Sequence, residues 1–193
     1  KPMIKIGGLP MLTHIMRFFK NYGFDEFIIA AGYKKSIIDK YYKNSKEFKN
    51  LTIVNTGANS ETGGRLLKLK KILKNQDNFF MTYGDGISNL NLKKLLKFHK
   101  QNNKIATVTA VRPPVKFGEM ELGANNIVTS FKEKPNLNIG WINGGFFVFK
   151  NKIFDFIKDY QTIFEREPLI NLSKNKELIA FRHDKYWRCM DNL

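Results

Sequence analysis

The chain has 193 residues, 42% hydrophobic and 26% charged, and its 33 Lys and Arg against 17 Asp and Glu leave a formal net charge of +16. That length accommodates one sizeable domain with a true core and leaves two full domains cramped. Apolar runs such as Phe27-Ile28-Ile29-Ala30-Ala31 fall far short of the roughly 20 residues of a membrane-spanning helix. No basic, apolar leader stands at the front, and Cys189 is the single cysteine, so the expected setting is a reducing, cytoplasmic one without disulfides or membrane.

The charge raises nucleic-acid binding as a possibility. Its make-up argues otherwise. There are 27 lysines and six arginines, and the lysines decorate helix faces, as in Lys68, Lys70, Lys71, Lys74 and Lys93, Lys94, Lys97, Lys100. Arg, which grips phosphate and guanine in bidentate fashion, is scarce. A dispersed basic surface that steers small anions is the preferred reading.

In chain order, Pro10 suits the first position of a helix through Met11, Leu12, Ile15, Met16 and Phe19 that Gly23 stops; no strand is expected before it. A strand at 27–31 follows, then a helix with Ile37, Ile38, Tyr41 and Tyr42 on one face. A strand at 51–55 opens the loop Thr56-Gly57-Ala58-Asn59-Ser60-Glu61-Thr62-Gly63-Gly64, which leads into a helix from Arg65. Strand 79–83 ends in Gly84-Asp85-Gly86, and a helix at 92–101 follows. Wholly apolar strands alternating with helices indicate an α/β fold with a parallel sheet covered on both faces. Beyond Lys104 the pattern becomes strand-rich: 105–111, 119–122, 127–131 and 141–149, with short helices at 154–158 and 168–174. The whole is expected to be a mostly parallel mixed sheet with flanking helices.

Several residues could carry chemistry. Asp85 follows the carboxyl end of an apolar strand, where open α/β sheets bind ligands, and a carboxylate there is placed to hold Mg²⁺ against phosphate oxygens. The same tetrapeptide, Tyr83-Gly84-Asp85-Gly86, also serves as a plain turn. The loop 56–64 offers backbone N–H groups to a base or phosphate, and Arg65 a fixed fork to an anion, although it matches neither the Walker loop nor the dinucleotide fingerprint. Glu133-Lys134-Pro135 ends a strand with a compact cation. Asn143-Gly144-Gly145 interrupts an apolar strand with an amide and two glycines, a cost that a hydroxylated ligand could offset. Asp191 is a second carboxylate, distant in sequence. His14 and His99 read as structural, His183 is uninformative, and Cys189 reads as a buried neighbour rather than a nucleophile.

Taken in order, Lys1-Pro2-Met3, Ile6-Gly7-Gly8-Leu9-Pro10, Thr62-Gly63-Gly64-Arg65, Tyr83-Gly84-Asp85-Gly86, Phe117-Gly118, Phe131-Lys132-Glu133-Lys134-Pro135, Ile142-Asn143-Gly144-Gly145-Phe146-Phe147, Glu167-Pro168-Leu169 and Met190-Asp191 resemble the sugar-phosphate nucleotidyltransferases, and most of all their glucose-1-phosphate cytidylyltransferase branch. The resemblance spans the chain. It implies the Rossmann-like nucleotide-diphospho-sugar transferase fold, Mg²⁺ held by Asp85 and Asp191, and Lys1 on the nucleotide phosphates as a catalytic residue. It places Ser60, Thr62, Arg65 and Gly84 beside the nucleotide, and Lys134, Asn143 and Gly144 beside the sugar phosphate. The implied reaction moves a cytidylyl group from CTP to glucose 1-phosphate, releasing pyrophosphate, in a homo-oligomer whose partners are these small molecules rather than nucleic acid. Uridylyl or thymidylyl transfer to another hexose 1-phosphate stays open, as does a non-catalytic sensor on the same scaffold. The family's Gly-Gly-x-Gly-Thr-Arg loop would precede Lys1, so residues 1–193 are expected to be a single catalytic domain cut before Lys1 and after Leu193.

Overall fold

The structure, a computed structural model, describes residues 1–112, 119–132 and 140–190. It opens on a hairpin that the sequence did not suggest: β1 (Lys5–Ile6) pairs antiparallel with β2 (Leu9–Pro10). Gly7 and Gly8 turn it with φ of +57° and +84°, a conformation that favours glycine in a two-residue turn. Pro10 therefore ends a strand and precedes α1 (Met11–Lys20) rather than starting it. Helix α1 buries Met11, Leu12, Ile15, Met16 and Phe19 at helical spacing.

A parallel pair follows. Strand β3 (Glu26–Ala31) leads through α2 (Lys35–Tyr42) to β4 (Asn50–Asn55), in register from Glu26↔Asn50 to Ala31↔Asn55. The apolar residues of α2 split between two rows. Ile38 and Tyr42 pack on Leu12, Met16 and Phe48, while Ile37 and Tyr41 are exposed.

Helix α3 (Thr62–Lys68) starts three residues earlier than the glycines suggested; Gly63 and Gly64 lie in its first turn. The close approach of another segment requires them: a Cβ on Gly64 would sit 2.0 Å from the Tyr160 carbonyl oxygen. Next come β5 (Asn78–Thr82), β6 (Gly86–Ser88) and α4 (Leu92–Asn102), whose N-cap Asn91 accepts from the Lys94 N–H at 2.9 Å. They are followed by β7 (Ala106–Val111), the hairpin β8 (Glu119–Leu122) and β9 (Val128–Lys132), and β10 (Ile142–Lys150). A 3₁₀ turn at Asn151–Phe156 stands where a short helix was expected, and α5 (Glu167–Lys174) precedes β11 (Leu178–His183) and β12 (Trp187–Cys189).

The main sheet has the order β11-β7-β10-β5. Strand β10 runs against both neighbours, so β5, β7 and β11 share one direction: the sheet is mixed, with its odd strand inside. Side chains alternate across it. Phe147 and Phe149 pack with Leu66, Leu69, Phe154, Phe164 and Leu172 on one face. Phe146 and Val148 pack with Met11, Ile15, Phe19, Leu92 and Leu95 on the other. Among the described residues, no helix is long and apolar enough to cross a membrane. This is an α/β fold with helices on both faces of a mixed sheet.

Candidate active site

The residues that could carry chemistry gather where β3, β4 and β5 end. Asp85 stands three residues beyond β5. Its Oδ2 lies 3.9 Å from Lys1 Nζ, with the two side chains 30% and 48% exposed. Gly84 is needed here, because a Cβ would come within 2.8 Å of Pro2 Cγ where the first residues cross the turn. The backbone oxygen of Asp85 accepts from Met190 N–H at 2.8 Å, and Gly86 pairs with Cys189, so β12 is bound alongside this turn. Asp191 follows Met190 in sequence and, like Lys134, lies outside the described residues.

A second group closes the ends of β3 and β4. Thr56 is fully buried; its hydroxyl donates to Ala31 O at 3.0 Å and accepts from Arg65 Nη1 at 2.8 Å. Arg65 also reaches the carbonyls of Gly57 (3.3 Å) and Ala58 (3.4 Å), Lys68 donates to Thr56 O at 2.8 Å, and Ser60 donates to the same oxygen. Arg65 and Ser60 thus fix the loop itself. Gly32 makes this possible: a Cβ there would meet Arg65 Nη1 at 2.1 Å.

A third group links the two. Thr62, the first residue of α3, donates to Glu165 Oε2 at 2.6 Å and accepts from Phe164 N–H at 2.9 Å. The Tyr83 phenol donates to Glu165 Oε1. Burial first, then the Glu165 carboxylate, push the Tyr83 hydroxyl well above the ordinary tyrosine range, so it stays a donor. Asn143 Oδ1 accepts from Gly145 N–H at 2.8 Å, and its side chain lies near the Tyr83 hydroxyl. The two glycines of β10 have packing reasons. A Cβ on Gly144 would meet Val111 Cγ1 at 2.8 Å, and its carbonyl accepts from Trp187 Nε1 at 2.7 Å. Gly145, at φ +75°, faces the Tyr83 ring.

The structure therefore brings Lys1, Gly84 and Asp85 together. It joins Thr62 to Tyr83 through Glu165, with Asn143 nearby, and sets Ser60 and Arg65 around Thr56. Sequence reasoning missed Glu165, Thr56, Lys68 and Gly32. Glu165 stands three residues before Pro168, and nothing local distinguishes it from a surface acid. The histidines are structural: His14 bonds Ile6 O, His99 bonds Thr107, and His183 bonds Ser88. Cys189 is half-buried against the core. Among the described residues, no group of three or more His, Cys, Asp or Glu could hold a metal ion. The donor chemistry at Asp85 nevertheless fits a hard cation: it is a partly exposed carboxylate just beyond a strand end.

A family model described as nucleotidyl transferase matches residues 1–188. The glucose-1-phosphate cytidylyltransferase of Salmonella typhimurium is 40% identical over the full chain and 83% of its own length. That alignment runs over 215 positions against 193 residues here, so the relative carries residues the chain lacks. A Bacillus subtilis protein named "probable glucose-1-phosphate cytidylyltransferase" is 36% identical over 99% of the chain and 83% of its own. The fold matches the crystal structure of HddC from Yersinia pseudotuberculosis complexed with GMP-PN, with TM-score 0.74 and 23% identity over 97% of this chain and 83% of that one. The strand-end site and the match over nearly the whole chain lead to one conclusion: the chain belongs to the nucleotidyl transferase family.

Proposed function

We propose that the chain transfers a cytidylyl group from CTP to glucose 1-phosphate, giving CDP-glucose and pyrophosphate. The observation that carries this reading is the Lys1–Asp85 pair at the carboxyl end of β5, in a chain 40% identical throughout to a glucose-1-phosphate cytidylyltransferase. A phosphate oxygen of the sugar phosphate attacks the α-phosphorus of CTP; the new P–O bond forms as the bond to the β-phosphate oxygen breaks, and pyrophosphate leaves with the electron pair. Such transfer needs positioning and charge neutralisation more than a covalent nucleophile. Lys1 binds the nucleotide phosphates. Ser60, Thr62, Arg65 and Gly84 line the nucleotide side, and Lys134, Asn143 and Gly144 the sugar side. Asp85 and Asp191 hold Mg²⁺, which when bound neutralises phosphate oxygens and sharpens the electrophile. The enzyme works as a cytoplasmic homo-oligomer.

The test is pyrophosphate release with glucose 1-phosphate, Mg²⁺ and a panel of CTP, UTP and dTTP. CTP should be preferred at least tenfold. Equal or better turnover of UTP or dTTP would remove the base assignment while keeping the family chemistry, and the same assay with other hexose 1-phosphates tests the sugar.

A further inference from the structure

Arg112 directly follows β7, Trp141 directly precedes β10, and Arg182 is the fifth residue of β11; these are three adjacent strands. The register aligns Arg182 with Ala110 and Ala110 with Asn143. Trp141 and Arg112 each lie one residue beyond the Ile142↔Val111 pair, so alternation returns them to the face that carries Asn143 and Arg182. The same face carries Val108 and Phe147, and Phe147 meets the Tyr83 ring.

Both guanidiniums rest on the one indole. Arg112 Cζ lies 4.8 Å and Arg182 Cζ 5.6 Å from the Trp141 ring centroid, and all three residues are exposed. Two of the chain's six arginines and one of its two tryptophans meet here. Like charges brought to one ring repel, and the attraction of each cation to the ring face engages the guanidinium plane without using its N–H donors. Among the described residues, no carboxylate pairs with either guanidinium. The edge donors of both arginines are therefore presented as forks, in the geometry that takes a phosphate or carboxylate in bidentate fashion.

We propose that Arg112, Trp141 and Arg182 form an oxyanion-binding site for a phosphorylated small molecule, on the β11 side of the Asn143–Tyr83 cluster. The site is built from residues other than Lys1 and Asp85 and does not depend on which nucleotide is transferred; the arm in which it takes the sugar substrate's phosphate rests on the proposed function. Its anion is either a free phosphate or the phosphate carried by the sugar substrate, and both present the same tetrahedral oxygens to the two forks.

Isothermal titration of the full chain without nucleotide, in 150 mM KCl, tests this with two probes: inorganic phosphate and glucose 1-phosphate. Saturable binding of at least one probe is expected. Arg112→Gln and Arg182→Gln, checked for fold by circular dichroism, should each weaken it about tenfold, and Trp141 emission should change with occupancy in the native chain but not in Trp141→Phe. Loss of phosphate binding alone identifies a separate anion. Loss of glucose 1-phosphate binding, together with a raised KM for that substrate at unchanged kcat, identifies the substrate's own phosphate. Affinities within twofold of native in both arginine variants, no binding of either probe, or a response that added KCl abolishes for both alike would overturn the proposal.

Discussion

Tyr83 and Glu165, 82 residues apart in sequence, are joined by a hydrogen bond from the phenol to Oε1, while Thr62 donates to the other carboxylate oxygen at 2.6 Å. One carboxylate thereby ties the start of α3 to the turn that carries Asp85. Replacing Glu165 by Gln keeps the shape but offers one acceptor oxygen where there were two. The expected cost is about 0.5–1.5 kcal/mol, because one hydrogen bond is lost at a site where water can reach the donor left over. Tyr83→Phe should cost about 1 kcal/mol. At this chain length each kcal/mol lowers Tm by about 2–4 °C, and pyrophosphate release should fall with it as the turn loosens. Thermal unfolding unchanged in both variants would show that the tie contributes nothing.

Asp85→Asn separates chemistry from stability. Its carboxylate is 30% exposed and its contact with Lys1 Nζ is 3.9 Å long, so the pair contributes at most about 1 kcal/mol to folding. On the proposed metal role of Asp85, losing one negative oxygen should lower pyrophosphate release at least about a hundredfold. Turnover across a Mg²⁺ titration, beside a melting curve, checks both halves. Native-like turnover would remove Asp85 from the metal site.

The α/β class was legible because long apolar strands alternate with helices, and Asp85 stood out as a candidate because a carboxylate follows such a strand. Strands of two or three residues, β1, β2, β6 and β12, carry no periodicity to read; they exist because a neighbour pairs with them, as Cys189 does with Gly86. Gly144 and Gly145 stood out as anomalies in an apolar run. That Val111 and Tyr83 occupy the space beside them emerges only once β5, β7 and β10 lie side by side. Glu165 shows the limit most clearly: both of its partners are more than 80 residues away, and no local pattern encodes a contact of that kind.

Gly32 and Arg65 should behave as a coupled pair. A methyl at Gly32 would intrude to 2.1 Å from Arg65 Nη1 and 2.5 Å from Gly57 O, so both the guanidinium and the loop must move. Gly32→Ala should destabilise by about 1–3 kcal/mol as overpacking and should weaken CTP binding, since Arg65 fixes the loop 56–60. In an Arg65→Ala background the same change should cost less, because one of its two clashes is gone. A double-mutant cycle on Tm and CTP affinity measures the difference; strict additivity would mean that Gly32 does not act through Arg65.

His99 gives the fold a pH limit. It is fully buried on α4 with Nδ1 2.8 Å from Thr107 Oγ1, and its Nε2 has no hydrogen-bond partner among the described residues. Burial, and then the nearby Lys150 and Lys100, lower its pKa to about 4. The unfolded chain takes up this proton near pH 6.5, whereas the folded chain resists it until about pH 4. The stability tied to neutral His99 is therefore fully present above about pH 6.5 and is lost as the pH falls through that window, by about 2–3 kcal/mol between pH 7 and pH 4.5. Urea unfolding at the two pH values should show this drop in the native chain. In His99→Gln, which keeps a polar partner for Thr107 but does not titrate, the drop should shrink by that amount, leaving the share due to carboxylates. An equal drop in both proteins would mean that His99 is not the titrating group.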